Sequence, residues 1–228
     1  MKNSKLIQAA SEFGSPLYVY DANKIKYQYN RLVKSFKSVK NLQLNYAVKA
    51  LSNISILKYL IDLGSGIDAV SIQEVHLALK GGINPEKIIY TPNGVSMDEI
   101  KFASELGVKI NIDNLSVLED FGNSHPEIPI CIRINPHIMA GGNSNISVGH
   151  IDSKFGISIH QIPHLKRIVE NTKIRINGVH MHTGSDILDI DVFLRAAEIL
   201  FETANHFEDL DFIAVSYTHL TLPTNLCV

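Results

Sequence analysis

The 228-residue sequence has no tryptophan and only two cysteines, Cys131 and Cys227. The missing tryptophan says little, but two cysteines exclude a disulfide framework. Neither charge sign dominates: Lys plus Arg number 21, Asp plus Glu 23, and the formal net charge is −2. No Lys/Arg run interrupts that balance, which excludes a strongly basic nucleic-acid binder. No apolar run approaches the roughly 18–20 residues of a membrane-spanning helix. The opening residues, Met1-Lys2-Asn3-Ser4-Lys5, lead into a mixed helical stretch without the apolar region of a signal peptide. The expectation is a soluble cytoplasmic protein with no nucleic-acid or membrane partner. Hydrophobic types make up 45 % of the chain. At this length that supports one sizeable domain with a real core.

Short β-rich runs alternate with helical stretches. The candidate strands are Leu17–Tyr20, Leu42–Val48, Gly66–Val70, Lys87–Thr91, Lys109–Asp113, Ile130–Asn135, Ile176–His182 and Leu210–Val215. Between them, apolar residues recur at three and four positions, as in Ile25, Tyr29, Leu32, Val33 and Phe36. That period predicts helices over Ile25–Val39, Ile54–Leu63, Gln73–Leu79, Asp98–Leu106, Val117–Phe121, Ile162–Glu170 and Val192–Phe207. Ser71-Ile72-Gln73-Glu74 and Ser96-Met97-Asp98-Glu99 fit the capping box, so Glu74 reads as a structural acid. Gly64, Gly81 and Gly107 stand where left-handed helix caps belong.

Predicted strand ends fall at Lys49, Ser71, Thr91, Asp113 and Asn135, about 22 residues apart, the length of one βα unit. Seven such units favour a (β/α)8 barrel over a doubly wound sheet. The spacing breaks once, between Asn135 and Ile176. The added segment, Pro136–His160, is rich in Gly, Asn, Ser and His and reads as a long functional loop at the barrel mouth.

Side chains alternate along a strand. Parity turns Ile130, Ile132 and Ile134 outward and Cys131, Arg133 and Asn135 inward. It turns Asn111, Asp113, His180 and His182 inward as well. Lys49, Asp68, Asp113, Arg133, Asn135, His180 and His182 therefore converge near the C-terminal strand ends, where barrels of this type carry active sites. Lys49 shares inward parity with Asn45 and Ala47. Burial there would favour a neutral, nucleophilic amine. A lysine at a strand end can equally reach solvent, and parity alone does not choose. His180 and His182 on one strand face could also form a metal pair, and Asp68 could be an ion-pair partner of an inward arginine. Cys131 reads as core.

Tyr46-Ala47-Val48-Lys49-Ala50 resembles the cofactor-lysine motif of the fold-type III pyridoxal-phosphate enzymes, the alanine-racemase-like barrels. Within these the chain is similar to the decarboxylases that act on diaminopimelate. Gly66-Ile67-Asp68-Ala69-Val70-Ser71, Ser153-Lys154-Phe155-Gly156 and Gly178-Val179-His180-Met181-His182-Thr183-Gly184-Ser185 follow in the family's order. The likeness runs from Ser15-Pro16-Leu17-Tyr18-Val19-Tyr20-Asp21 to about Phe212.

The resemblance implies pyridoxal 5′-phosphate as cofactor, bonded by Lys49. It implies His182 stacked on the pyridine ring, Ser185 near the phosphate, Arg133 near the ring 3-oxygen and Asp68 close to the lysine–cofactor linkage. The implied reaction is decarboxylation of meso-diaminopimelate to L-lysine and CO2, in a homodimer. Alternatives are another amino-acid decarboxylase of the same fold, a non-catalytic cofactor-binding barrel and a metal-dependent hydrolase built on His180 and His182.

The likeness stops near residue 213. The family continues into a glycine-rich phosphate loop, whereas residues 214–228 contain no glycine and no helical period. Residues 1–22 read as a segment that would join a second, β-rich domain, and 23–213 as the barrel. Residues 214–228 read as a non-native tail. The expected fold is α/β: an incomplete alanine-racemase-like (β/α)8 barrel lacking its eighth strand and the C-terminal β domain. As such, the chain is expected to be inactive alone.

Overall fold

The computed structural model describes residues 3–138, 154–182, 184 and 189–215. Helix starts are fixed by side-chain caps, which satisfy N–H groups that the helix itself leaves orphaned. Asp21 caps α2 (Ala22–Ser35), Asn53 caps α3 (Ile54–Asp62) and Ser71 caps α4 (Ile72–Lys80). Ser96 caps α5 (Met97–Glu105), Asn114 caps α6 (Leu115–Ser124) and Asp189 caps α8 (Ile190–Ala204). Two helices complete the set: α1 (Asn3–Phe13), with no buried residue, and α7 (Ile162–Thr172).

The two expected capping boxes differ in outcome. Ser71 Oγ accepts from Glu74 N–H, while the Glu74 carboxylate accepts from the N–H of Val70 at 2.7 Å, one residue before the cap. At α5 only half of the box forms. Ser96 Oγ accepts from Glu99 N–H, but the Glu99 carboxylate turns to the buried Tyr90 hydroxyl. Gly64 and Gly107 take left-handed conformations after their helices as expected; after α4 that role falls to Gly82 (φ 91°), not Gly81 (φ −69°).

The strands are β1 (Asn45–Ala47), β2 (Gly66–Ala69), β3 (Ile88–Tyr90), β4 (Lys109–Ile112), β5 (Ile130–Asn135), β6 (Ile157–Ser158), β7 (Ile176–Met181) and β8 (Phe212–Val215). All pair in parallel, in the order β1-β2-β3-β4-β5-β7-β8, with the two-residue β6 bonded to the end of β5. Residues 17–20 form no strand: only Tyr18 makes a bridge, because no described segment pairs along them. Among the described residues β1 bonds only β2 and β8 only β7, so the ring is open. The sheet nonetheless curls. Lys109 Nζ on β4 lies 4.9 Å from the centre of the Phe212 ring on β8, across the interior, although β5 and β7 intervene in the sheet.

The core lies between sheet and helices. Ile130, Ile132, Ile134, Val179 and Met181 face outward as parity requires, and they join Leu57, Leu60, Leu118, Phe121, Leu165 and Leu200 in one apolar cluster. Full burial of each large side chain contributes about 1.5–3 kcal/mol. Among the described residues no helix is long and apolar enough to cross a membrane.

Candidate active site

With the outward face committed to apolar packing, the inward face carries the polar residues. Asp68, Thr91, Asn111, Asp113, Arg133, Asn135, His180 and His182 are all buried there, on or just beyond β2, β3, β4, β5 and β7. Burying this many polar groups is costly unless they bond one another. Many do. Thr91 Oγ1 donates to Asp68 Oδ1 at 2.9 Å, and Asn111 Nδ2 lies 3.3 Å from Thr91 Oγ1 and 3.0 Å from His180 Nδ1. Asp113 is held separately, by Asn93 Nδ2 at 2.7 Å and Asn114 Nδ2 at 3.4 Å. Asn135 Oδ1 accepts the His137 N–H.

Electrostatics tie the cluster together. Burial pushes the Asp68 carboxyl up to about 6 from 3.8, against the lowering effects of the Thr91 hydroxyl, the Arg133 guanidinium and the Lys49 ammonium. Burial, with Arg133, His182 and Lys49 adding positive charge nearby, holds His180 well below the usual histidine range. Asp68 Oδ2 is buried without a hydrogen-bond partner among the described residues. The Arg133 charge acts on Asp68, as the reading of Asp68 as partner of an inward arginine expects.

Of the two settings left open for Lys49, the structure shows the exposed one. β1 ends at Ala47, and Val48–Ala50 form a single 3₁₀ turn closed by Leu51 N–H on Val48 O. Lys49 sits on that turn, exposed, rather than on an inward strand position. The buried carboxylate of Asp68 does feel Lys49, which keeps the two in one electrostatic site.

The Lys154-Phe155-Gly156 segment also joins the site. The Arg133 guanidinium lies 5.0 Å from the centre of the Phe155 ring, and Gly156 (φ 83°) lets the chain pass so close to β5 that a Cβ would stand 2.9 Å from Asn135 N. His137 and His160 are locally engaged, stacked at 5.2 Å, with His137 Nε2 2.6 Å from Ser158 Oγ. Cys131 is a fully buried core thiol. No cluster of three or more His, Cys, Asp or Glu suited to a metal ion occurs among the described residues. Ser153, His150 and Ser185 lie outside the described residues.

An open parallel α/β barrel with charged and imidazole side chains gathered at its C-terminal strand ends has the layout in which barrels of this class carry their active sites. Residues 22–221 match the family model described as pyridoxal-dependent decarboxylase, pyridoxal binding domain, and the chain belongs to that family. It is 37 % identical over 225 residues to a diaminopimelate decarboxylase of Methanothermobacter thermautotrophicus, covering 93 % of this chain and 53 % of the relative. A Helicobacter pylori diaminopimelate decarboxylase is 37 % identical over 192 residues, 82 % of this chain and 47 % of that protein. The solved structure of a Helicobacter pylori diaminopimelate decarboxylase complexed with L-lysine superposes with a TM-score of 0.78 at 33 % identity, covering 94 % of this chain and 56 % of that one. The chain spans about half the length of the curated relatives it matches.

Pyridoxal 5′-phosphate is the cofactor of this family, and the residues present fit it. The site offers a primary amine for the aldehyde, a buried carboxylate with one oxygen still open, a buried guanidinium and a flat buried imidazole. Sequence reasoning missed Thr91, which carries no motif, and left Asn111 without a role although parity turned it inward.

Proposed function

We propose that this chain carries the cofactor-binding barrel of a decarboxylase that converts meso-diaminopimelate to L-lysine and CO2. The observation that carries this reading is the 37 % identity, over 93 % of the chain, to an enzyme named diaminopimelate decarboxylase. The lysine bound in a structurally similar relative is the expected product of such a reaction.

Pyridoxal phosphate, when bound, supplies the electron sink that takes up the electron pair left as CO2 departs. The chain's own residues bind and orient it. Lys49 would hold the aldehyde through its amine. Arg133, whose guanidinium lies over the Phe155 ring, would donate to the ring oxygen. His182 would offer a flat face to the pyridine. Gly184 and Ser185 would supply donors for the phosphate. Asp68 sets the local negative charge that offsets Lys49 and Arg133.

In this reading residues 1–22 join a β-rich domain such as the family carries, 23–213 form the barrel and 214–228 are a non-native tail, although β8 continues through Val215 and the family match runs to residue 221. The working enzyme is a cytoplasmic homodimer.

The test has two parts. The full-length protein is incubated with meso-diaminopimelate, ornithine and arginine, and CO2 release is measured. Preference for meso-diaminopimelate supports the assignment; release from ornithine or arginine alone overturns the substrate. The 228-residue chain is expected to take up pyridoxal phosphate without turnover.

A further inference from the structure

Four buried side chains from four strands or strand ends form an unbroken series: Asp68, Thr91, Asn111 and His180. Its direction can be worked out from one end. Above its pKa of about 6 the Asp68 carboxylate can only accept. The Thr91 hydroxyl has one proton, and it goes to Asp68 Oδ1 at 2.9 Å. Thr91 Oγ1 then turns lone pairs toward Asn111, so the Asn111 atom facing it must be the amide nitrogen. That nitrogen has two protons. The second points at His180 Nδ1, 3.0 Å away, which must accept. An imidazole accepting at Nδ1 is neutral and carries its proton on Nε2.

We propose that Thr91 and Asn111 are positioning residues that transmit the Asp68 carboxylate to His180 as a one-way hydrogen-bond series, fixing His180 as the neutral Nε2–H tautomer. The alternative is expensive. A flipped Asn111 would set its carbonyl oxygen against the Thr91 lone pairs, and a cationic His180 would point its Nδ1–H at the Asn111 amide donor. The charged and titratable groups near His180 agree in sign. Arg133 on β5, His182 beyond β7 and Lys49 beyond β1 all disfavour a further positive charge. Ala214, the β8 partner of His180, contributes no charge.

The consequence for the site is electrostatic. With His180 neutral, the positive charge acting on Asp68 comes from Lys49 and Arg133, and the imidazole proton has one defined position for orienting whatever lies beyond Nε2. The inference concerns the chain without cofactor, so it stands or falls separately from the proposed reaction.

The test is carbon and nitrogen NMR of the imidazole side chains in the 228-residue chain at pH 8, with His180 assigned by substitution. The wild-type chain is expected to show His180 as the Nε2–H tautomer. Thr91→Ser keeps the hydroxyl and should leave that signature in place. Thr91→Val removes the hydroxyl with little change in shape and frees Asn111 to rotate, so both tautomers should appear. Asn111→Asp replaces the donor with an acceptor and should move the proton to Nδ1 or protonate the ring. An Nδ1–H tautomer in the wild-type chain overturns the proposal. So does a signature that stays unchanged in folded Thr91→Val and Asn111→Asp chains, folding being checked by circular dichroism.

Discussion

Gly178 on β7 and Phe212 on β8 meet face to face: a Cβ at position 178 would lie 2.5 Å from Phe212 Cζ. The aromatic ring occupies the space a side chain would need, and Lys109 lies over its π-face. Gly178→Ala should therefore displace the ring and cost about 1–3 kcal/mol, the usual range for overpacking. Urea unfolding measures this. In a Phe212→Ala background the same substitution should cost much less, because the two sites are coupled. An equal cost in both backgrounds would show that the contact is not what restricts residue 178.

Asp68 gives the chain an unusual pH dependence. Its carboxyl is raised from 3.8 to about 6 by burial, so the folded chain binds the proton more tightly than the unfolded chain. Stability from this group then falls as pH rises from about 4 to about 6 and stays level above. Each pKa unit is worth about 1.4 kcal/mol, which sets an upper scale of about 3 kcal/mol. Asp68→Asn keeps an oxygen for Thr91 and removes the titration. Urea midpoints of the two chains should diverge in favour of the variant between pH 4 and 6.5; parallel curves would exclude Asp68 as the source.

Lys49 is exposed on its turn and open to reagents. Borohydride reduction of the chain loaded with pyridoxal phosphate should add the cofactor's mass to the peptide containing Lys49. The Lys49→Arg chain should show no such labelled peptide. Labelling of a different lysine in the wild-type chain would remove Lys49 from its assigned role.

Tyr90 is fully buried, and its hydroxyl donates to Glu99 at the start of α5. Tyr90→Phe leaves the Glu99 carboxylate without that donor and should cost about 1–3 kcal/mol. Ser96→Ala, which removes the cap on the same helix, should cost about 1 kcal/mol. Thermal unfolding of both chains checks the order; a neutral Tyr90→Phe would mean that Glu99 finds water instead.

Most of the scaffold was legible because its code is periodic. The strand at Ile130–Asn135, and the strand at Ile176–Met181 from residue 178 on, follow an alternation in which Ile, Val and Met mark the helix side and Arg133, Asn135 and His180 the interior. Parity left Lys49 undecided because alternation assumes that a strand continues. The β1–β2 ladder ends at Ala47 and Asp68, and past it the chain turns, so parity no longer applies. Thr91 and Asn111 were illegible as a pair. Neutral hydrogen-bonding residues twenty positions apart have no spacing signature, and only the parallel register of β3 and β4 sets them side by side. The Glu99 carboxylate was claimed by a capping motif, but the Tyr90 hydroxyl that draws it away comes from the preceding strand.

The strand ladder has a bearing on how the molecule is assembled. From β2 to β5 each strand bonds the one about twenty residues before it, so every partner is already present when the next is synthesised. Nothing in that stretch has to wait for a distant segment. A ribosome releasing this chain would add one docked layer at a time, and the first delay would come at β7, whose partner β5 lies on the far side of the long 136–160 insertion.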